Sequence, residues 1–262
     1  IAMPVDGEGK VAEVLFFPSS YRRAVKYGQR DAGNEILRTE VLTRLSALAT
    51  GADNALPLYI VTEPSALSEL VVSKKQLDER RLTLTVDQHI DIVEVEKTLR
   101  SFGFTETDYV YEPGQFAVRG SIIDVYSFSN ELPFRIDFFG DDIETIRNFE
   151  VETQLSTEKL TRVEIVPELT TMSEEKVPFL QFLPEDAVLA FKDFLYVRDA
   201  IDNIYQEGFA HQALTEKLEG KTELEQRELE VAFRKEGQLV PASRWMNDAL
   251  DFRRIEFGMN HS

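Results

Sequence analysis

A chain of 262 residues with 43% hydrophobic and 29% charged side chains is long enough to bury a sizeable core, and its composition is that of an ordinary soluble globular protein. It contains no cysteine, which excludes disulfides, thiolate metal sites and a cysteine nucleophile and fits a cytoplasmic location. Its 47 acidic against 29 basic residues give a formal charge of −18, so the chain as a whole repels a polyanion; a basic or mixed protein surface is the expected partner rather than nucleic acid.

No apolar run approaches the length of a membrane span, and no signal-peptide pattern is visible. The opening residues Ile1-Ala2-Met3 lead to the expectation of a segment cut from a longer protein. Residues 13–18, Glu-Val-Leu-Phe-Phe-Pro, predict a short buried strand stopped by Pro18, with a polar loop from Ser19 to Asn34. Leu37, Val41, Leu45 and Leu48 then recur at helical spacing, with Asn34 as the expected N-cap and Gly51 as the stop. Leu58 to Val61 predict a fully buried strand, followed by a polar turn and a short helix. Strand, helix, strand, helix in that order suggests part of a parallel α/β layer.

The character changes near Arg80. Asp91, with Glu94 three residues on, opens a predicted helix whose apolar face is Ile92, Val95, Leu99 and Phe102, and Gly103 sits where a C-terminal glycine belongs. Short strands are predicted at Tyr109-Val110, Gln115 to Arg119, Ile122 to Tyr126, Phe134 to Phe139 and Ile143 to Phe149. Gly114, Gly120, Ser129-Asn130 and Gly140-Asp141 punctuate them as turns of an antiparallel sheet would. After Pro167 the α/β signals return, with a strand at Ala187 to Phe191. An acidic helix is predicted over Ala213 to Lys235, carrying Leu214, Leu218, Leu224, Leu229 and Phe233 under a solvated charged face.

Catalytic patterns are missing. There is no phosphate-cradling G-x-x-x-x-G-K-[ST] loop; "GEGK", Gly7 to Lys10, lacks the length, the following hydroxyl and a preceding strand. His89, His211 and His261 have no metal-ligand spacing. The acidic pairs Asp141-Asp142 and Glu174-Glu175 sit in polar surroundings, where nothing desolvates a carboxylate for acid–base work. The segment reads as non-catalytic, with no cofactor or metal site of its own.

One strand carries a binding signal. Side chains alternate between faces along a strand, so Phe134, Ile136 and Phe138 share the core-facing side of Phe134 to Phe139. Arg135, Asp137 and Phe139 share the other. Phe139 either packs under a neighbouring loop or is presented to a partner. Arg119, at the end of an earlier strand, is placed to come alongside Arg135, and arginine with an aromatic matches the composition of interface hot spots.

The stretch "YEPGQFAVRGSIIDVYSFSNELPFRIDFFGDDIETIRNFEVETQLS", Tyr111 to Ser156, resembles the family of bacterial transcription-repair coupling factors and, more distantly, the excision-repair protein UvrB. The resemblance rests on E-x-G-x-[FY]-x-x-R-G and P-[FVY]-R-[IL]-[DE]-F-F motifs, and extends to "EVLFFPSSYRRAVKYGQRDAGNEILRTEVLTRLSAL" and "VEVEKTLRSFGF". It implies a partial parallel, degenerate P-loop ATPase-like α/β domain in two halves, residues 1–81 and 171–262. Between them, residues 82–170 would be an inserted α+β antiparallel-sheet domain that binds UvrA and so recruits nucleotide excision repair to a stalled RNA polymerase. The family's UvrA-contacting residues fall on Arg119, Arg135 and Phe139, with Glu112, Asp137, Asp141 and Arg147 as rim positions. ATP, Mg, helicase-like DNA translocation and contacts to RNA polymerase and DNA would belong to later domains of a full-length protein. UvrB's P-loop and its tyrosine-rich damage-probing hairpin are not visible; "FFPSSYRRAVKYG" offers only Tyr21 and Tyr27. Two alternatives stand beside recruitment: a UvrB-type damage-binding helicase subunit, and an autoinhibitory module whose UvrA face is masked within the full-length protein.

Overall fold

The computed structural model describes residues 12–20, 32–49, 58–169, 175–207, 222, 224–225 and 239–257. Strand β1 (Val14–Phe17) is followed by helix α1 (Ala32–Ala49), β2 (Tyr59–Thr62), α2 (Pro64–Leu67), β3 (Leu70–Val72), α3 (Lys74–Glu79) and β4 (Leu82–Thr85). Helix α4 (Ile92–Ser101) leads into β5 (Thr105–Glu106), β6 (Gln115–Arg119), β7 (Ile122–Val125), β8 (Phe134–Phe139), β9 (Asp142–Phe149), β10 (Ser156–Leu160) and β11 (Arg162–Ile165). Next come β12 (Lys176–Pro178), a 3-10 turn at Phe179–Phe182, β13 (Val188–Phe191), α5 (Phe194–Glu207), α6 (Ala242–Leu250) and β14 (Arg253–Glu256). Chain contacts divide these into two compact units, one of residues 1–34, 44–73 and 174–262, the other of residues 35–43 and 74–173.

In the first unit β1 and β2 run parallel, Val14 opposite Tyr59, as a strand–helix–strand crossover requires. Strands β13 and β14 are also parallel, and β3 pairs antiparallel with β12. Aromatic contacts join the buried aliphatic side chains of this unit, among them Leu67, Val71, Ile201 and Val240: Phe17 stacks on Phe179 with ring centroids 4.1 Å apart, and buried Trp245 packs against Phe191 and Phe194. The expected buried strand at residues 13–18 and fully buried strand at 58–61 are each only half buried. Leu15 and Phe17 turn inward, whereas Val14, Phe16, Tyr59 and Val61 are all exposed, because strand alternation sends them to the opposite face. Asn34 is not the N-cap of α1, which begins at Ala32; its side-chain amide donates to the Ser19 carbonyl at 2.8 Å and ties the helix to the end of β1. Apart from residues 222, 224 and 225 the predicted acidic helix lies outside the described residues, as do Gly7 to Lys10, Tyr21, Tyr27, Gly51, Glu174, His211 and His261.

In the second unit the local signals take effect as expected. The Asp91 carboxylate accepts the Val93 amide at 2.8 Å and caps α4, Val95 and Leu99 are buried, and Gly103 takes the left-handed conformation (φ 81°) that ends the helix. Six strands form one sheet in the order β10-β9-β8-β7-β6-β5, antiparallel except where β5 runs parallel to β6. One face of it carries Phe116, Ile123, Val125, Phe134, Ile136, Phe138, Ile143 and Ile146 into a core with Val95 and Leu99 of α4 and with Leu84, Val163 and Ile165 of the separate β4–β11 pair. Tyr109-Val110 is not a strand. Its place at the sheet edge is taken by Thr105–Glu106, while Val110 buries its side chain against Ala117 and Phe149. The chain is thus a mixed α/β protein. Among the described residues no helix is long and apolar enough to cross a membrane.

Candidate functional site

The face of the six-stranded sheet turned away from this core is set by register. Ala117 stands opposite Asp124, Asp124 opposite Arg135 and Arg135 opposite Arg147; one step along, Arg119 pairs with Ile122, Ile122 with Asp137 and Asp137 with Thr145. Two-residue alternation puts all of these on one side of β6 to β9. Two tight loops fix the register, Gly120-Ser121 between β6 and β7 and Gly140-Asp141 between β8 and β9. Both glycines have φ 61°, the positive value that a two-residue hairpin needs.

Arg119 and Arg135 are not on neighbouring strands; β7 runs between them, and its Asp124 joins them. The Asp124 side chain is fully buried. Arg135 grips it with a fork, Nε to Oδ1 at 2.8 Å and Nη2 to Oδ2 at 2.9 Å, while Nη1 donates to the Gln154 carbonyl at 2.9 Å. The same guanidinium lies over the Phe149 ring, 4.5 Å from its centroid. Hydrogen bonding to Asp124 is the first cause that raises the Arg135 pKa above its ordinary value. Arg119 donates from Nη2 to Asp124 Oδ2 and from Nη1 to the Asp108 carbonyl at 3.3 Å, with its guanidinium 5.4 Å from the centre of the Tyr109 ring. A buried carboxylate is tolerable only when its lone pairs are filled by such charge-assisted bonds, and two arginines fill them here.

Phe139 ends β8 at the hairpin tip. The β8–β9 register slips between Asp137 and Phe138: Asp137 faces Thr145, but Phe138 faces Ile143, which leaves Glu144 as the extra residue of a bulge. Phe138 thereby stays in the core at 4% exposure, whereas Phe139 is 77% exposed, so it does not pack under a loop. Residues 87–90 brace this tip. The Asp87 amide donates to the Ile143 carbonyl, the Ile143 amide to Gln88 and the Ile90 amide to Asp141, at 2.8, 3.0 and 2.7 Å. His89 Nδ1 lies 2.9 Å from Asp142 Oδ1; that hydrogen bond, and then the charge of the same carboxylate, hold the His89 pKa above 6.5.

Of the rim residues, Asp137 and Arg147 share the charged face and pair with each other at 2.5 Å. Asp141 sits in the turn beside Phe139. Glu112 lies in the turn before β6, where Gln115 Nε2 donates to its side chain at 3.2 Å. Sequence reasoning missed Asp124, although a lone acid within the apolar run Ile122-Ile123-Asp124-Val125 is a signal of a paired buried charge. It also missed Tyr109 and Tyr111, which are 51% and 60% exposed on either side of buried Val110.

Residues 82–170, which contain this face, match the family model of the UvrB interaction domain. Over part of its length the chain is similar to transcription-repair-coupling factors. It is 31% identical over 157 residues to the transcription-repair-coupling factor of Staphylococcus aureus, covering 60% of this chain and 13% of that protein. The Haemophilus influenzae protein of the same name is 29% identical over 127 residues, 48% of this chain and 11% of its own. That of Bacillus subtilis is 26% identical over 169 residues, 61% of this chain and 14% of its own. The chain therefore spans between 11% and 14% of the length of these relatives. The matched residues contain the whole six-stranded sheet and its charged face.

Proposed function

We propose that this chain is the UvrA-recruiting module of a bacterial transcription-repair coupling factor and that UvrA docks on the charged face of the six-stranded sheet. Arg119 and Phe139 are the contacts that present themselves, Arg135 belongs to the same site, and Asp137, Arg147, Asp141 and Glu112 form its rim. The observation that carries this reading is Phe139, a large apolar ring 77% exposed at a braced hairpin tip on the same face as Arg119. An isolated exposed aromatic needs no explanation, but one that shares a sheet face with an arginine and sits at a braced hairpin tip has the make-up of a hot spot.

The segment works by recruitment rather than by chemistry. In the full-length protein, ATP and Mg, DNA translocation and contacts to RNA polymerase and DNA belong to other domains, in a cytoplasmic setting. Residues 82–170 would be the inserted UvrA-binding domain, with 1–81 and 171–262 as halves of a degenerate ATPase-like domain around it. Size-exclusion chromatography of the chain mixed with purified UvrA tests the reading. Co-elution of both proteins in an earlier peak is expected, and separate elution at micromolar concentrations contradicts it.

A further inference from the structure

The two arginines of the charged face are committed to very different degrees. The Arg135 side chain is only 13% exposed, and its Nε, Nη1 and Nη2 are all bonded within the chain, with Phe149 covering the ring face of the guanidinium. Arg119 is 37% exposed. It gives one hydrogen each from Nη1 and Nη2 to Asp108 and Asp124; among the described residues, Nε and the second hydrogens of both terminal nitrogens have no acceptor. An arginine whose fork is already filled and whose side chain is buried has little left to offer a partner, and one that is more exposed with three of its five hydrogens unspent has more.

We infer that Asp124 is a positioning residue of this interface, and that Arg135 acts on the partner through it rather than by contact. Asp124 Oδ2 receives Nη2 of both arginines, so the fork of Arg135 fixes the carboxylate in place and the carboxylate in turn holds Arg119 in one rotamer. Binding then does not have to immobilise a long, flexible side chain, which otherwise weakens affinity by about two- to tenfold. The free N–H groups of Arg119 fit an oxygen acceptor, a carboxylate or an exposed carbonyl on UvrA. The inference rests on the UvrA-binding reading and deepens it by dividing labour among residues of one site: Arg119 and Phe139 touch, while Asp124 and Arg135 position.

The test is a set of calorimetric titrations of the whole chain with UvrA. Asp124→Asn, whose single amide oxygen cannot take both the Arg135 fork and the Arg119 bond, is expected to weaken binding by about three- to tenfold. Adding Asp124→Asn to Arg119→Ala should weaken it no further than Arg119→Ala alone, because Asp124 acts through Arg119. Adding Asp124→Asn to Phe139→Ala should multiply the two losses, because Phe139 is positioned by its hairpin; general unfolding would swallow the Phe139 effect instead. Arg135→Lys keeps the charge but not the fork. It should reproduce the Asp124→Asn loss, and it carries the test alone should Asp124→Asn not fold. Wild-type affinity in Asp124→Asn or Arg135→Lys overturns the inference, as does a loss that multiplies with that of Arg119→Ala. If Arg119→Ala and Phe139→Ala weaken binding while those results appear, the UvrA reading survives alone. If the wild-type chain does not bind UvrA, both fall.

Discussion

On one face of the six-stranded sheet Phe116, Ile123, Ile136 and Ile146 bury themselves against α4. On the other, one residue along the same strands, stand Ala117, Asp124, Arg135 and Arg147. The first face is held by area removed from water and tolerates any arrangement that fills the volume. The second is held by directional bonds around one buried carboxylate, and there a one-atom change alters which donors are spent. That difference would let a single sheet serve as a scaffold on one face and, as proposed, as a recognition surface on the other. The apolar face fixes the backbone, and the charged face, relieved of that task, leaves Arg119 and Phe139 open. It also predicts that substitutions on the two faces separate into stability effects and binding effects.

The largest expected effect breaks the apolar side. Ile136→Ala should cost about 3 kcal/mol of stability through lost burial and the cavity left behind, read from chemical denaturation. Phe139→Ala is the counterpart on the open side: UvrA affinity should fall by about 2 kcal/mol, while stability stays within about 0.5 kcal/mol of wild type. A loss of stability in Phe139→Ala of the size seen in Ile136→Ala would erase the distinction between the faces. Gly140 sets the turn that follows Phe139, at φ 61° with no atom within 4 Å of an added Cβ. Gly140→Ala should therefore cost only backbone strain, about 1 kcal/mol in the same denaturation measurement. The smallest effect sharpens the brace at the tip. Because the folded pKa of His89 lies above 6.5, its pairing with Asp142 contributes fully below pH 6.5 and is lost as pH rises through the raised value. An NMR titration should show His89 titrating above 6.5 and Asp142→Asn returning it towards that value; both side chains are exposed, so stability changes little.

Much of the second unit was legible because local rules and the core agreed there. Asp91 and Gly103 delimited α4, Gly120 and Gly140 marked the hairpins, and alternation along Phe134 to Phe139 assigned each side chain to its face. The same alternation was hidden at Val14, Phe16, Tyr59 and Val61, where a continuous apolar run concealed which residues face outward. Strands β4 and β11 escaped although Leu82 to Thr85 and Arg162 to Ile165 alternate, because each is only four residues long and finds its partner far along the chain; β10 escaped because Ser156 to Leu160 is almost wholly polar. In the candidate site, parity placed Arg135, Asp137 and Phe139 together, but one strand cannot show which strand lies beside it. The link from Arg119 to Arg135 runs through Asp124, on a strand between them, and only the register reveals it.

The claim that the charged face is a UvrA-binding surface stands or falls most directly on calorimetric titration of UvrA into the wild-type chain and into Phe139→Ala, side by side. The account predicts saturable binding of the wild type and, for the variant, affinity lower by at least tenfold with an unchanged melting temperature. Equal affinities for the two chains would contradict it.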